Sequence, residues 1–274
     1  MSLVLKSQKG HIGYLSLNNP QALNALSNAM MRELVEGLKA YDEDENIRCI
    51  VIKGEGRAFC SGHDVNPADN PYHDIQGWRE RARICNEVPF TIWNCKTPVI
   101  AQVHKYCLGG ACDLAAVCDL TIASEDALFG EPEIQFNSHP PFPMLAYVVG
   151  YKAAKEIILT GDKYSAQEAL RMGLVNKVVP MEELEQTVYE YAMKLVKMPV
   201  PAVRTCKQTI NRIYEMQNLY SGVHLSEESF AEVLMSPTPE FEEFCKVRDS
   251  EGLKAAFKWR DEFFADSEQN AIVK

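Results

Sequence analysis

A pair of glycines lies where the sequence best supports a specific chemistry. Gly109 and Gly110 end a strand-like stretch and open a helix rich in small residues. The first backbone N–H groups of a helix have no intrahelical acceptor, and the helix dipole favours negative charge beside them. Because Gly110 carries no side chain, a ligand can approach this backbone closely. The arrangement predicts donors that stabilise the oxygen of an activated carbonyl group as it gains negative charge.

Two further stretches place polar residues beside predicted turns. Residues 57–65 directly follow a buried strand and offer a second backbone donor, the N–H of His63. Residues 129–134 read Phe-Gly-Glu-Pro-Glu-Ile. Taken alone, each glycine pair or turn also fits a purely structural role, so the interpretation depends on how the stretches occur together.

Short apolar strands alternate with helices over the first two thirds of the chain, which indicates an α/β core. Four of these strands are predicted at residues 13–17, 48–52, 98–103 and 118–123. A helix is predicted after Ser27, whose side chain can cap it. Its apolar residues recur at helical spacing, at Met31, Leu34, Val35 and Leu38.

From about residue 142 the pattern predicts helices alone. Two of these helices are predicted to end at Gly161 and Gly173, and Ser165 and Glu168 form a capping box at the start of one. Pro201 and Pro239 fit the first turns of further helices, and the last helix is predicted to start at Ser250. We therefore divide the chain into a core, residues 1–195, and a helical region, residues 196–274. Apolar faces in that region need the core or another subunit to pack on, and they carry Phe241, Phe244, Phe257, Phe263 and Phe264.

Composition and charge exclude several classes of protein. The 274 residues carry 28 Lys and Arg against 38 Asp and Glu, a net charge of −10. This balance argues against non-specific binding to nucleic acid or acidic membranes. No apolar run reaches the roughly 18 residues of a membrane helix, and the N-terminus lacks a signal-peptide pattern. A cytoplasmic protein is therefore expected.

The nine cysteines indicate buried thiols in a reducing compartment rather than a disulfide framework. A thiol nucleophile at Cys107, Cys112 or Cys118 is an alternative, although no histidine lies beside them in sequence. No His, Cys or Asp cluster has metal-ligand spacing, and Gly109-Gly110 is not a dinucleotide-binding fingerprint. We expect neither a metal nor a cofactor.

Taken together, the stretches resemble the crotonase (enoyl-CoA hydratase/isomerase) superfamily over roughly residues 3 to 260. The family has a Phe-small-small-Gly-x-Asp loop and, some 45 to 50 residues later, Leu-Gly-Gly-small-x-acidic-Leu-Ala followed by Cys-Asp. Both occur here, at residues 59–64 and 108–119. Three further family elements are present, Asn-Pro-x-Ala-Leu-Asn-Ala-Leu at 19–26, Leu-Thr-Gly at 159–161 and Ala-x-x-x-Gly-Leu-Val-x-x-Val at 169–178.

The resemblance implies a crotonase-like spiral of ββα units with a C-terminal helical trimerisation region, assembled as a homotrimer or a dimer of trimers. It implies an acyl-CoA thioester substrate whose carbonyl oxygen lies between the N–H groups of His63 and Gly110. The residues expected to contact CoA or the acyl group are Gln21, Ala22, Leu23, Ala25, Ser61, His63, Asp64, Val65, Gly109, Gly110, Pro132 and His139. Phe257 and Lys258 are candidates for contacts with the CoA of a neighbouring subunit.

The positions that match the family's acid and base are Asp113 and Glu133. Two carboxylates in a partly dry pocket can have their pKa values pushed apart by repulsion and desolvation, which suits proton transfer. Related hydratases usually have Glu at both positions, so the first carboxylate here is one methylene shorter. The expected reaction is addition of water to a 2-enoyl-CoA, with Asp113 positioning water and Glu133 exchanging a proton.

Several other reactions stay open on this scaffold. A double-bond isomerase needs only Glu133, and the Pro140-Pro141 pair is also similar to cyclic dienoyl-CoA hydratases. The third carboxylate of dienoyl-CoA isomerases is missing, since Pro141 stands at that position. A thioester hydrolase, a decarboxylase and a non-catalytic relative are further alternatives.

Overall fold

The computed structural model describes residues 2–68, 70–236 and 238–265. Strands in these ranges are β1 (Val4–Lys9), β2 (Ile12–Leu17), β3 (Cys49–Gly54), β4 (Val99–Val103), β5 (Tyr106–Leu108), β6 (Leu120–Ser124), β7 (Leu128–Gly130), β8 (Tyr164–Ser165) and β9 (Lys177–Val179). One sheet has the order β1-β2-β3-β4-β6-β9, and a smaller one has the order β5-β7-β8. In the larger sheet only the β1–β2 pair is antiparallel.

Helices connect and cover the two sheets. They are α1 (Asn28–Glu43), α2 (Ile75–Asn94), α3 (Gly110–Val117), α4 (Met144–Val148), α5 (Tyr151–Thr160), α6 (Ala166–Met172), α7 (Met181–Lys197), α8 (Val200–Met216), α9 (Leu219–Leu234), α10 (Pro239–Glu251) and α11 (Leu253–Ala265). Two short 3-10 turns, Pro20–Ala22 and Pro132–Phe136, lie at the positions of two sequence motifs. None of the helices so described is long and apolar enough to cross a membrane.

The central strands of the large sheet are buried on both faces. Side chains alternate along β3, so Ile50 and Ile52 join the core beneath α1 while Cys49 and Val51 join the core beneath α7. This two-sided burial explains why the strand is a continuous apolar run in the sequence. The α/β prediction for the core is confirmed.

Local capping signals in the sequence predicted several helix ends correctly. The Ser27 side chain accepts a hydrogen bond from Met30 N–H and caps α1. Ser165 and Glu168 form the predicted capping box at the start of α6. Gly161 and Gly173 end α5 and α6 in left-handed conformation. These ends depend on contacts within a few residues, so sequence alone could locate them.

Two expectations for the C-terminal half are wrong. The region after residue 142 is not wholly helical, because β8 and β9 lie in it and β9 extends the large sheet beside β6. Strands of two or three residues are too short to show alternation. The last helix begins at Leu253 rather than Ser250, because α10 continues to Glu251 and Gly252, with φ 90°, separates the two helices.

The C-terminal helices fold back onto their own core. Phe244 of α10 and Phe257 of α11 both pack edge-on against Phe136, with ring centroids 5.2 and 5.9 Å away. Phe136 ends the short turn that carries Glu133. Part of the apolar surface predicted for this region therefore covers the chain's own candidate site. The division at residue 195 stays a prediction.

A buried ion pair joins α8 to the core. Lys207 is 8% exposed, and its Nζ lies 2.7 Å from Asp119 Oδ2. The same ammonium group donates to the carbonyl oxygens of Ile92 and Thr97 at 3.3 and 3.2 Å. Asp119 Oδ2 also accepts from Val99 N–H at 2.7 Å. The pair thus ties the helical region to two core segments.

Lys207→Met is expected to lower the free energy of unfolding by about 3 kcal/mol, since it leaves a partly buried carboxylate and two carbonyls without their donor. Denaturant-induced unfolding measures this loss. Lys246→Met is the matched control, because the Lys246–Glu243 pair is exposed and is expected to contribute less than about 1 kcal/mol. Equal losses in the two variants would contradict the prediction.

Candidate active site

The loop that carries His63 lies against the strand that leads to the glycine pair. Cys60 N–H donates to the carbonyl oxygen of Tyr106 at 2.9 Å, and Leu108 N–H donates to that of Cys60 at 3.3 Å. These bonds bring the end of the loop beside the start of α3. His63 and Gly110, nearly fifty residues apart in sequence, become neighbours in this way.

The segment that contains the predicted CoA contacts lies along the same loop. Ser61 N–H donates to the carbonyl oxygen of Leu23, and Asp64 N–H donates to that of Leu26, at 3.0 and 3.2 Å. The structure therefore brings together the two groups of predicted residues. Gln21 and Ala22 are exposed, whereas the half-buried members are Leu23, Ala25, Ser61, Asp64 and Val65.

Asn24 holds this segment in place, a role that the sequence analysis missed. Its buried Nδ2 donates to the carbonyl oxygens of Glu55 and Ala58, at 2.9 and 2.8 Å. Its Oδ1 accepts from Asn19 N–H at 2.9 Å. The signal was present in the Asn-Pro-x-Ala-Leu-Asn motif, because an asparagine side chain can both donate to and accept from the backbone.

Both glycines of the pair are required by close contacts. Gly109 adopts φ 55° and ψ −133°, and a Cβ there would collide with Glu133 Oε1. A Cβ on Gly110 would collide with the imidazole Nε2 of His63. The Gly110 N–H acts on the Glu133 carboxylate and lowers its pKa, and His63 N–H donates to no acceptor within the described part of the chain. The Gly110 N–H thus lies beside the Glu133 carboxylate, with the imidazole of His63 packed against the same glycine.

Three carboxyl groups meet at this point. Asp113, in the first turn of α3, is 3% exposed, and Glu131, just before the 3-10 turn, is 0% exposed. Glu133 is half-buried as a residue, but its Oε2 is enclosed and meets no hydrogen-bond donor among the described residues. The site therefore concentrates acidic groups away from water.

Burial is the main cause of the altered proton affinities. It raises the pKa of Asp113 well above its ordinary value, and the nearby Glu133 charge adds to the rise. Burial also raises the pKa of Glu133, but the neighbouring Glu131 carboxyl group, backbone N–H groups and the charge of Arg260 oppose that rise. The environments differ, so Glu133 is the group best suited to carry the negative charge while Asp113 stays protonated.

The side chain of His63 packs over Gly110 without a polar partner. Its Nδ1 is enclosed and makes no hydrogen bond to any described residue. Burial, assisted by the charge of Arg81, lowers the pKa of His63 to about 3. The imidazole is therefore neutral near pH 7, which favours a role for the backbone N–H over acid catalysis by the ring.

Two cationic side chains lie near the site on different helices. Arg81 of α2 is 2% exposed, and its Nη1 donates to Asn28 Oδ1 at 2.5 Å. Arg260 of α11 lies over the Phe136 ring, 4.6 Å from its centroid, and its charge reaches Glu133. The charge of Arg260 on α11 thus acts on the Glu133 carboxylate of its own chain.

The other predicted site residues lie at the edge of this cluster. Pro132 begins the 3-10 turn that presents Glu133. His139 lies against α9, with Nδ1 3.5 Å from Ser226 Oγ. Phe257 packs on Phe136, and the exposed Lys258 lies 3.6 Å from Glu262. Contacts of these residues with a substrate, or of the last two with a neighbouring subunit's CoA, stay predictions.

The thiols near the site are poorly suited to nucleophilic chemistry. All nine cysteines are free, and only Cys206 and Cys245 are not buried. Burial raises the pKa of Cys107 and Cys112 well above the ordinary thiol value. The thiolate is the reactive form, so neither is activated as a nucleophile in this environment. No group of three His, Cys, Asp or Glu residues within the described ranges could hold a metal ion.

Sequence reasoning missed two residues of the cluster, Glu131 and Arg260. Glu131 lay inside the quoted Phe-Gly-Glu-Pro-Glu-Ile stretch, and its signal was a second acidic residue two positions before Glu133. Arg260 had no local signal, because it meets Glu133 only after the C-terminal helices fold back. Both omissions concern charges whose effect depends on burial.

Fold and site together define the class of protein, an α/β protein in which backbone N–H groups and buried carboxyl groups are gathered at one place. The family model for enoyl-CoA hydratase/isomerase matches residues 7–247. The chain belongs to this family.

Similar proteins support the assignment over most of the chain. A probable enoyl-CoA hydratase of Rhizobium meliloti is 36% identical, with 83% of this chain and 88% of the relative covered. A short-chain-enoyl-CoA hydratase of Clostridium acetobutylicum is 33% identical, with 92% and 97% covered. The crystal structure of an enoyl-CoA hydratase/isomerase from Xanthobacter autotrophicus Py2 superposes with a TM-score of 0.91 at 33% identity, covering 95% and 98% of the two chains.

Proposed function

We propose that this enzyme adds water to the 2,3-double bond of a 2-enoyl-CoA. The single observation that carries the proposal is the meeting of Asp113 and Glu133 beside the N–H groups of His63 and Gly110. Hydration needs these two functions at one place, since the thioester oxygen gains negative charge while a proton moves between water and carbon. The relatives named as enoyl-CoA hydratases support the same reaction.

The charge states suggest how the proton moves. Protonated Asp113 holds a water molecule, and ionised Glu133 takes a proton from it as the water oxygen bonds to C3. The electron pair of the double bond moves to the thioester, whose oxygen is stabilised by the two N–H groups. Glu133 then returns a proton to C2. Both hydrogens of one water molecule are thus accounted for in the 3-hydroxyacyl product.

Substrate binding is also expected to raise the pKa of the base, Glu133. In the free enzyme the Gly110 N–H lowers the pKa of the Glu133 carboxylate. A thioester oxygen that accepts from this N–H replaces Glu133 there. Removing a donor from a carboxylate raises its pKa, so Glu133 becomes a stronger base when the substrate is in place.

The proposed CoA surface is formed by residues 21–25 and 61–65, with Gly109, Pro132 and His139 towards the acyl group. Many of these contacts would use backbone groups, so the net charge of −10 does not oppose an anionic ligand. A cytoplasmic homotrimer or dimer of trimers, built on a spiral of ββα units and using Phe257 and Lys258 across subunits, belongs to the same proposal.

A second candidate function is double-bond isomerisation by Glu133 alone. The observation that favours it is the short, fully enclosed Asp113 side chain, whose pKa is raised well above its ordinary value. If Asp113 does not hold water, Glu133 could still move a proton between C2 and C4. The two reactions differ in whether Asp113 is needed.

Absorbance assays separate the two reactions. Hydration of crotonyl-CoA removes the enoyl-thioester absorbance, whereas isomerisation of a 3-enoyl-CoA creates it. Asp113→Asn is expected to lower the hydration rate by about 10² to 10⁴. Asp162→Asn, which changes an exposed carboxylate, is the control. A wild-type enzyme inert on crotonyl-CoA but active on the 3-enoyl substrate, with Asp113→Asn unimpaired, would replace hydratase with isomerase.

A further inference from the structure

Glu131 is a buried carboxyl group for which the reaction above has no use. It lies between β7 and the 3-10 turn of Glu133 and is 0% exposed. Neither of its side-chain oxygens meets a hydrogen-bond donor among the described residues. An ionised carboxylate is an acceptor only, so this position would leave its charge without water and without partners.

The groups that face Glu131 make ionisation still less favourable. They are acids or thiols from the neighbouring elements, namely Cys107 of β5, Cys112 and Asp113 of α3, and Glu133 of the 3-10 turn. Burial, then the charges of Glu133 and Asp113, raises the pKa of Glu131 well above its ordinary value. The nearby cation, Arg260, acts on Glu133.

Glu133 is better supplied with donors than Glu131. Its own backbone N–H, the charge of Arg260 and the N–H of Gly110 all act to lower its pKa. Its carboxyl group also acts on that of Glu131, since each changes the pKa of the other, and enclosed oxygens without a donor lie on both groups. A proton on Glu131 therefore satisfies both groups, because Glu131 loses its charge and Glu133 gains a donor.

We propose that Glu131 works as a neutral carboxylic acid that donates a hydrogen bond to Glu133, which keeps Glu133 ionised and correctly oriented. Glu131 is thus a positioning residue that acts through the catalytic base. Its effect on turnover rests on the proposed function, but its protonation can be tested without turnover.

Two uncharged substitutions test whether Glu131 acts as a hydrogen-bond donor. Glu131→Met keeps an unbranched side chain but removes the donor, whereas Glu131→Gln keeps a neutral donor at the same distance. Losing a donor raises the pKa of Glu133. Because the ionised form of Glu133 is active, the acid limb of the kcat/KM profile then moves to higher pH. We expect Glu131→Met to shift this limb by about one pH unit, and Glu131→Gln to restore most of the shift and of the lost activity.

An infrared difference spectrum tests the protonation directly. The spectrum of wild type minus Glu131→Gln at pH 7, without substrate, should contain the C=O band of a protonated carboxyl group. Glu125→Gln, on an exposed loop, should give a carboxylate difference instead. Thermal unfolding checks that the variants are folded. If Glu131→Met does not fold, the infrared test still stands, because it needs only Glu131→Gln.

Some results would overturn the proposal. A carboxylate band in place of the carboxylic acid band would show that Glu131 is ionised. A loss of activity in Glu131→Gln as large as in Glu131→Met, with no recovery of the acid limb, would show that the neutral donor is not the working form. Absence of both hydration and isomerisation in wild type would defeat the proposed function and leave the infrared result intact.

Discussion

Glu133→Gln is expected to lower kcat for crotonyl-CoA hydration by about 10² to 10⁴, the usual effect of removing a general acid–base group. The substitution keeps the size of the side chain and an oxygen that can accept from Gly110 N–H. It removes the only function that requires a carboxylate, which is to take a proton from water and return it to C2. The fall should therefore appear in kcat, with a smaller change in KM.

Steady-state absorbance assays at saturating substrate measure this effect. Glu125→Gln is the matched control, since Glu125 is exposed on the loop after β6 and lies apart from the buried acids. A second readout is exchange of the C2 proton of a saturated acyl-CoA with deuterated solvent, which should be lost with Glu133. A variant that retains hydration within about threefold would remove Glu133 from the mechanism.

Gly110→Ala is expected to lower kcat/KM by about 10² to 10³, comparable with the loss of an oxyanion-hole donor. The new Cβ would collide with the His63 imidazole, which packs on the Gly110 backbone. Either the ring or the start of α3 must move. In both cases the two N–H donors no longer meet at one oxygen, and the geometry that stabilises the developing charge is lost.

Activity and thermal unfolding should be measured together for this variant. Gly77→Ala is the control, because Gly77 lies in the first turn of α2 with its closest contact at the movable ring of Tyr72, 3.1 Å from the new Cβ. It should keep its activity. If Gly110→Ala loses no more activity than Gly77→Ala, the backbone donor at this position is not part of the site.

The parts of the structure that follow local rules could be predicted from the sequence. The Ser27 cap, the capping box at Ser165 and the buried strand β3 depend on residues adjacent in the chain. The pairing of Asp113 with Glu133 came from motifs rather than from local physics, and the structure places these groups together. Strands as short as β8 and β9 contain too few residues to show a period.

Residue type and spacing predicted the alternation of strands and helices and the glycine pair at a helix start. The family motifs predicted Asp113 and Glu133 as the acid–base residues. Tertiary structure alone decided which carboxyl groups are buried together, that Glu131 joins them, and that Arg260 on the last helix reaches Glu133. The physical reason is that a side chain's proton affinity depends on lost water and nearby charges, which exist only after distant segments have packed.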